Sequence, residues 1–296
     1  MKVLSKEARG SIYAIISGIL YGFVGFFGIQ IIHAGFSISN MLFWRFAIAS
    51  ILITGMLLFA RIKVKFNDPN LLKALISSIL FYSTGSALYF MACRYIGTGL
   101  SMVIFFIYPV FVTLIAWLFD RHKISNLHYI SITCIVVGMF CLLKPGEIQI
   151  ELHGIIIAVL SAVFYAAYIV TGKKQVNQLH PLLSTLVICY SGTLVFLIIA
   201  ALEGSVLLPA SFAVWQYILG IAVVSTVLPI LFLLKGMKYI SAAKASILSG
   251  LEPIVVLIIG VSVLGEQISL LQLIGAIIVL FGALLINFDK ELIKKQ

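Results

Sequence analysis

Acidic side chains are scarce in this chain: ten Asp and Glu among 296 residues, with charged residues of both signs reaching only 10%. A soluble chain of this length carries about 25% charged residues, so the deficit excludes a soluble globular domain. No polar stretch is long enough to form such a domain beside a membrane anchor. The polar–apolar alternation of a spanning β-barrel is also missing. Cysteine is limited to Cys93, Cys134, Cys141 and Cys189, at spacings that fit no zinc or haem site, and these read as small core residues. The five histidines (His33, His122, His128, His153, His180) fall at segment ends, against a buried histidine relay or metal cluster. No Gly-rich loop followed by Lys-Ser/Thr occurs, so nothing supports ATP drive within the chain. No metal or cofactor is expected.

Apolar length is what the chain has in excess. Hydrophobic residues make up 62% and the mean hydropathy is +1.18. A spanning helix needs roughly 20 apolar residues. Such segments fall at about 11–32, 41–60, 71–92, 99–119, 127–143, 154–172, 182–202, 215–234, 242–264 and 269–288. The expectation is an all-α integral membrane protein with ten transmembrane helices and short connections.

The net charge of +10 would point to nucleic acid in a soluble protein, but its distribution is a topology signal. With the N-terminus inside, the cytoplasmic segments hold Lys2, Lys6, Arg9, Arg61, Lys63, Lys65, Lys73, Arg121, Lys123, Lys173, Lys174, Lys235, Lys238, Lys244, Lys290, Lys294 and Lys295. Arg45, Arg94 and Lys144 remain for the outside. Both termini are therefore expected in the cytoplasm and the protein in the cell (plasma) membrane, with the lipid bilayer and a small-molecule substrate as partners and no nucleic acid. A homodimer is left open. The basic residues before the first apolar segment resemble a signal peptide, but that segment is too long and lacks a small-residue cleavage site, so it reads as a retained helix.

The chain repeats itself at an offset of 144. Tyr95-Ile96, Pro109, Ile124-Ser125 and Gly138 fall on Tyr239-Ile240, Pro253, Ile268-Ser269 and Gly282, while Gly10, Ala14, Ser17 and Tyr21 fall on Gly154, Ala158, Ser161 and Tyr165. The copies span 10–143 and 154–288, five helices each, joined by the turn-forming linker 144–151. Five is odd, so the second copy enters the membrane from the other side: two inverted five-helix repeats. Inverted repeats are a common plan of secondary transporters, with the binding site near the midplane between the halves.

The Tyr-Ile-Ser-Ala-Ala start, Leu251-Glu252-Pro253 centre, Leu264-Gly265-Glu266 turn and glycine-spaced last helix of the second half resemble the EamA-type repeat of the drug/metabolite transporter superfamily. The first half resembles it more loosely, through Phe43-Trp44-Arg45-Phe46 and the Tyr95-Ile96 to Pro109 stretch. It has Asp120-Arg121 where the family has Gly-Glu. The resemblance implies ten helices, cytoplasmic termini and a central cavity lined by helices one, three, four, six, eight and nine, with five and ten peripheral. It does not specify a substrate, since similar members move amino acids, sugars, nucleotides, drugs and other metabolites.

Nine of the ten acidic residues fall in termini or connections; Glu252 alone lies mid-helix. A charge there costs roughly 2.5–3.5 kcal/mol, and three reasons for keeping it stand open: proton exchange, pairing with a cationic group of the substrate, or a hydrogen bond to a neighbouring helix. Pro109 and Pro253 are expected to kink equivalent helices, as hinges or as static bends, and Pro229 to add a kink without a counterpart, Gly85 holding its equivalent place. Polar residues at helical spacing mark a candidate cavity: Tyr21; Tyr82, Ser86 and Tyr89; Ser101 and Tyr108; Tyr165 and Tyr168; Ser249 and Glu252. Tyrosines supply apolar walls with one polar tip, although Ser and Gly at such positions also serve close helix packing, the preferred reading for Gly25 and Gly28. Arg45 is expected to snorkel to headgroups, with an anion-binding role as the alternative, and Lys235 and Lys244 to act as topology determinants.

The leading expectation is a secondary transporter that moves a small organic metabolite by alternating access, with efflux of amino acids or related compounds first on family resemblance. Uptake of a nutrient or cofactor and multidrug efflux are the alternatives. An intramembrane enzyme ranks last, because such chemistry needs clustered Asp, Glu or His and Glu252 stands alone. A receptor or assembly factor would leave the duplication without an evident purpose.

Overall fold

The computed structural model describes residues 5–62, 64–65, 67–120, 125–143, 151–209, 211–263, 267 and 269–288, and every regular element among them is helical. The expectations resting on Lys2, Lys63, the 121–124 connection, the 144–150 linker, the 264–266 turn and the C-terminal lysines lie outside the described residues. In chain order the helices are α1 (Lys6–Tyr21), α2 (Val24–His33), α3 (Ile38–Phe59), α4 (Pro69–Ser77), α5 (Thr84–Phe105), α6 (Tyr108–Asp120), α7 (Asn126–Cys141), α8 (Leu152–Gln175), α9 (Pro181–Leu202), α10 (Phe212–Ala222), α11 (Leu228–Met237), α12 (Ala242–Ser249), α13 (Glu252–Ser262) and α14 (Leu270–Leu285). Serine starts many of them. The hydroxyls of Ser5, Ser37, Ser125, Ser211, Ser241 and Ser269 each accept a first-turn N–H, satisfying one orphan donor. Ser125 and Ser269 are a repeated pair, so part of the 144 offset encodes where equivalent helices begin.

Seven helical stretches are long and apolar enough to cross a membrane: Lys6–His33, Ile38–Phe59, Pro69–Phe105, Leu152–Gln175, Pro181–Leu202, Phe212–Met237 and Ala242–Ser262. Three apolar helices are shorter, Tyr108–Phe119, Asn126–Cys141 and Leu270–Leu285. Sixteen residues, the length of α7 and α14, reach about 24 Å at 1.5 Å per residue, less than the roughly 30 Å core. Large apolar side chains cover the outside, among them Phe59 (94% exposed), Leu202 (84%) and Phe281 (57%). A surface of that kind is stable against acyl chains and not against water, and the protein is a multi-pass membrane protein.

Equivalent helices of the two halves pack antiparallel. Along α3 and α9, Ser37 meets Ser205 at 2.8 Å, Ser50 meets Thr193 at 3.2 Å and Thr54 meets Tyr190 at 3.3 Å, one number rising as the other falls. In α7 and α14, a Cβ on Gly138 would lie 2.7 Å from the Gly275 carbonyl, and one on Gly282 would lie 2.8 Å from the Ser131 carbonyl. These are the same contact, because Ser131 and Gly138 are equivalent to Gly275 and Gly282. Gly10 likewise abuts Tyr239 and Ile240 while Gly154 abuts Tyr95 and Ile96. Such reciprocity is what a pseudo-twofold relation between the halves produces, and glycine is what permits the approach.

The expected kinks are complete breaks. α5 ends at Phe105 and α6 starts at Tyr108; α12 ends at Ser249 and α13 starts at Glu252. Pro109 and Pro253 are the second residues of the new helices, where the missing N–H is harmless but the bond to the previous turn is lost. Helix one, expected to be continuous, also breaks, at Gly22-Phe23 between α1 and α2. The Pro229 irregularity has a counterpart after all. A π-helical turn at Val223–Val227 precedes α11, and another at Ser78–Ser83 precedes α5, so the distortion belongs to both halves and does not depend on proline. The third and fourth expected helices are fused in α5 and separated by a bend at Gly97, whose φ of 75° favours glycine.

Two sequence readings are overturned. Gly25 has nothing within 4 Å of an added Cβ and Gly28 meets only the Met41 sulfur at 3.4 Å, so neither mediates close packing; Gly18 and Gly22 do. Lys244, expected as a topology determinant, is 2% exposed with its Nζ 2.6 Å from Glu7 Oε1. Arg45 does not reach the headgroups; its side chain is buried, as described below.

Candidate functional site

Two of the broken helices meet. A Cβ on Gly18 would lie 2.7 Å from the Ser249 carbonyl oxygen, and one on Gly22 would lie 2.5 Å from Val255 Cβ and 3.1 Å from the Glu252 carbonyl. Helix one therefore presses its glycine face onto the junction of α12 and α13, and its own break begins at the same level. Glu252 is the first residue of α13. Unpaired N–H groups and the dipole at a helix N-terminus favour a negative charge there. Its side chain is partly buried. Among the described residues it makes no hydrogen bond, and the two ion pairs present are Arg94–Glu203 and Lys244–Glu7.

Tyr108, the equivalent of Glu252, opens α6. Its hydroxyl donates to the Ser246 carbonyl at 3.1 Å and lies 2.8 Å from the Ser249 hydroxyl, tying the break in one half to the break in the other. Tyr165 of α8 is the hub of the aromatic wall. Its ring centroid lies 4.8 Å from Tyr108, 5.0 Å from Phe105, 5.6 Å from Tyr168 and 6.3 Å from Tyr82. Tyr82 stands edge-on to Tyr168 at 4.8 Å, and Tyr89 joins through Phe105 at 5.1 Å. The hydroxyls of Tyr21 and Tyr168 are buried without a hydrogen-bond partner among the described residues. Unsatisfied buried polar atoms are uncommon in native structures and concentrate where a ligand or water binds.

Arg45 belongs to this layer. It is 6% exposed, its Nε donates to Thr226 Oγ1 at 2.6 Å and its Nη2 to the Ser225 carbonyl at 2.9 Å. Both acceptors sit in the Val223–Val227 π-turn, so the distorted turn of one half holds the arginine of the other. The guanidinium carbon also lies 5.2 Å from the Phe46 ring centroid.

A model of the EamA-like transporter family matches residues 8–144 and again residues 152–288. The chain belongs to the EamA-like transporter family. Among similar proteins, an uncharacterized transporter of Synechocystis sp. is 25% identical over 245 residues, covering 78% of this chain and 70% of that protein. The uncharacterized transporter YyaM of Bacillus subtilis is 25% identical over 260 residues, covering 84% of each. A solved crystal structure 13% identical in sequence superposes with a TM-score of 0.82 over 95% of this chain and 96% of that one, a likeness of fold.

Within this EamA fold, seven of the sequence-derived site residues converge: Tyr21, Tyr82, Tyr108, Tyr165, Tyr168, Ser249 and Glu252 lie around the two breaks, with Tyr89 at the edge. Ser86 is partly buried on α5. Ser101 is fully buried beyond the Gly97 bend, next to Leu100 of a separate apolar cluster, with Cys93 between it and Tyr89. Ser17 and Ser161, polar in sequence, are used up in helix packing. Sequence reasoning missed Thr226 as part of the layer and kept a solute-binding role for Arg45 only as the alternative to snorkelling. The signal was present, since Arg45 is a second charge inside an apolar segment; its closeness to the segment end suggested the headgroups instead.

Proposed function

We propose that this EamA-family protein is a secondary transporter, its ten helical segments spanning the cell membrane as two inverted five-helix repeats with both termini cytoplasmic. The halves rock about the layer of Glu252, Tyr108 and Tyr165 and carry a small organic metabolite by alternating access. One observation carries the reading: the discontinuous helices of both halves meet at a carboxylate without a hydrogen-bond or ion-pair partner among the described residues, beside a wall of tyrosines. Non-helical backbone at membrane depth is tolerated where it is buried in protein or lines a solute path, and transporters place their sites at such breaks. Ring faces with single hydroxyl tips suit solutes that are partly apolar and partly polar. Outward movement of amino acids or related metabolites is the class to test first.

The test is counterflow in proteoliposomes of the purified protein, loaded with unlabelled metabolite pools and given trace labelled solute. Transient accumulation of label above equilibrium, abolished or uncoupled from the proton gradient by Glu252→Gln at equal reconstitution, is the expected result. Absence of counterflow for every pool would overturn the reading, and wild-type rates in Glu252→Gln would remove the carboxylate from it.

A further inference from the structure

Arg45 does for the second half what a backbone amide does in a regular helix. Its Nη2 donates to the Ser225 carbonyl at 2.9 Å, and in an α-helix that carbonyl would receive the N–H of residue 229. Residue 229 is Pro229, which has no N–H to give. A carbonyl left unsatisfied at membrane depth is costly, so the guanidinium stands in for the missing amide. Its Nε donates to Thr226 Oγ1 at 2.6 Å, and Thr226 Oγ1 donates in turn to the Ile221 carbonyl at 2.8 Å. Two consecutive residues of the Val223–Val227 π-turn are thus gripped from α3 of the other half, while Ser17 of α1 takes the Pro229 carbonyl.

The first half is built differently at the equivalent places. Gly85, which has an N–H, stands where Pro229 stands, and Cys189 stands where Arg45 stands. Proline is matched with the arginine and glycine with the cysteine. The bonds of the two π-turns differ accordingly. Leu228, which closes the second turn, donates to the Val223 carbonyl, five residues back. Its equivalent, Thr84, divides its N–H between Ile79, five back, and Phe81, three back. One turn is committed to the π register and the other is shared between two. A π-bulge that moves along a helix turns each residue it passes by about 100°. In the first turn that residue is Tyr82, whose ring lies 4.8 Å from Tyr168 and 5.9 Å from Phe46. The Ser83 hydroxyl beside it is buried without a partner among the described residues. In the second turn the equivalent of Tyr82 is Thr226, which the arginine holds.

We propose that Arg45 is a positioning residue: it replaces the amide that Pro229 lacks and fixes the Val223–Val227 turn, leaving the Ser78–Ser83 turn as the one whose register changes when the bundle moves. A shift in the fixed turn would take both acceptors from the guanidinium and find no N–H at residue 229. A shift in the other turn finds the Gly85 N–H in place. The tyrosine wall is then re-aimed from one side, through Tyr82. The clasp is a feature of packing and holds for any solute, so it stands apart from the transport reading.

The experiment is amide hydrogen exchange, read by mass spectrometry on the full chain in lipid nanodiscs, with protection factors followed separately over Ser78–Thr84 and Val223–Leu228. In the wild type the first turn is expected to be at least about tenfold less protected than the second. Arg45→Met, which keeps the length of the side chain and loses every donor, should lower protection of the second turn by about tenfold and leave the first within about threefold. Adding Pro229→Ala, which returns an N–H to residue 229, should restore most of that loss, a rescue that a side chain serving only to fill space would not show. Arg45→Lys, which keeps one donor head, should fall between, and serves where Arg45→Met is not monodisperse. Equal protection of the two turns in the wild type, a loss spread evenly over the bundle in Arg45→Met, or a double variant no better protected than the single one would overturn the proposal. Counterflow with equally protected turns sinks this proposal alone, whereas the expected exchange without counterflow of any solute sinks the transport reading alone.

Discussion

The Ser17 hydroxyl donates to the Pro229 carbonyl across the halves at 2.7 Å, and the bond recurs 144 residues along the chain, from Ser161 to the Gly85 carbonyl at 2.8 Å. Both serines are fully buried. Neither carbonyl depends on proline, since Gly85 fills the role of Pro229. The pair belongs to the same scheme as Gly10 and Gly154 on the two Tyr-Ile dipeptides: what repeats in sequence is what touches across the interface.

Removing either hydroxyl should therefore cost the same. Interhelical hydrogen bonds in membrane proteins average about 0.6 kcal/mol, and Ser17→Ala and Ser161→Ala are each expected to lower stability by roughly that amount. Chemical unfolding in detergent–lipid mixtures measures it. A loss confined to one of the two variants would deny that the halves are held by equivalent bonds.

The repeat and the helix positions were legible because apolar length and duplicated small residues are local signals. The interruptions were legible only where proline marks them. Nothing about Gly22-Phe23 distinguishes a break from a packing glycine until α12 and α13 are seen pressed against it. The acceptors of Arg45 lie 180 and 181 residues away in the chain, in a π-turn with no composition of its own, so hydropathy could place the charge only by its distance from a segment end. Gly25 misled in the opposite direction: its spacing to Gly28 is that of a close-packed face, yet α2 meets α10 through the rings of Phe26 and Phe27 and not through Gly25.

Lys244 sits in the first turn of α12, where the helix dipole disfavours a cation, and Glu7 is its counter-ion. The equivalents of this pair are Leu100 and Glu151, which cannot form it, and the ion pair described at the opposite end is the more exposed Arg94–Glu203. Lys173 reinforces the same end as Lys244, its Nζ donating to the carbonyls of Met237 and Ile240. Glu7→Gln leaves a buried ammonium without its counter-ion, an effect of about 1–2 kcal/mol with Glu7 partly screened by solvent. The loss should open that end: a cysteine at Ser246, in a background lacking the native four, is expected to react with a membrane-impermeant maleimide several times faster in Glu7→Gln than with Glu7 intact. Equal labelling rates would reduce the pair to a static contact.

Tyr108 and Tyr129 test which helices face the path. Tyr129 lies on α7 and is 56% exposed at the periphery, whereas Tyr108 is 2% exposed, in contact with Tyr165 and bonded to α12. Tyr108→Ala is expected to raise the apparent Km of transport at least tenfold and Tyr129→Ala to leave it within twofold. Tyr108→Phe, which keeps the ring and loses two hydrogen bonds, should fall between them. Equal Km changes in Tyr108→Ala and Tyr129→Ala would move the path away from α6.

Gly18 and Gly25, one on either side of the helix-one break, should respond to the same substitution with opposite signs. A methyl at Gly18 would lie 2.7 Å from the Ser249 carbonyl oxygen and 2.9 Å from its Cα, backbone atoms of the helix that leads into Glu252 and cannot step aside alone. Gly18→Ala is expected to destabilise by about 1–3 kcal/mol, the range for overpacking, and to push α12 away from α1, so that solute binding falls with stability. A methyl at Gly25 meets nothing within 4 Å, and the helix propensity of alanine over glycine favours it by up to about 1 kcal/mol. Melting temperature and binding measured side by side separate the two: Gly18→Ala lower in both, Gly25→Ala level or higher in melting with binding intact. A Gly18→Ala protein that melts and binds like the wild type would mean that helix one does not bear on the Glu252 junction, and the site would lose one of its three broken helices.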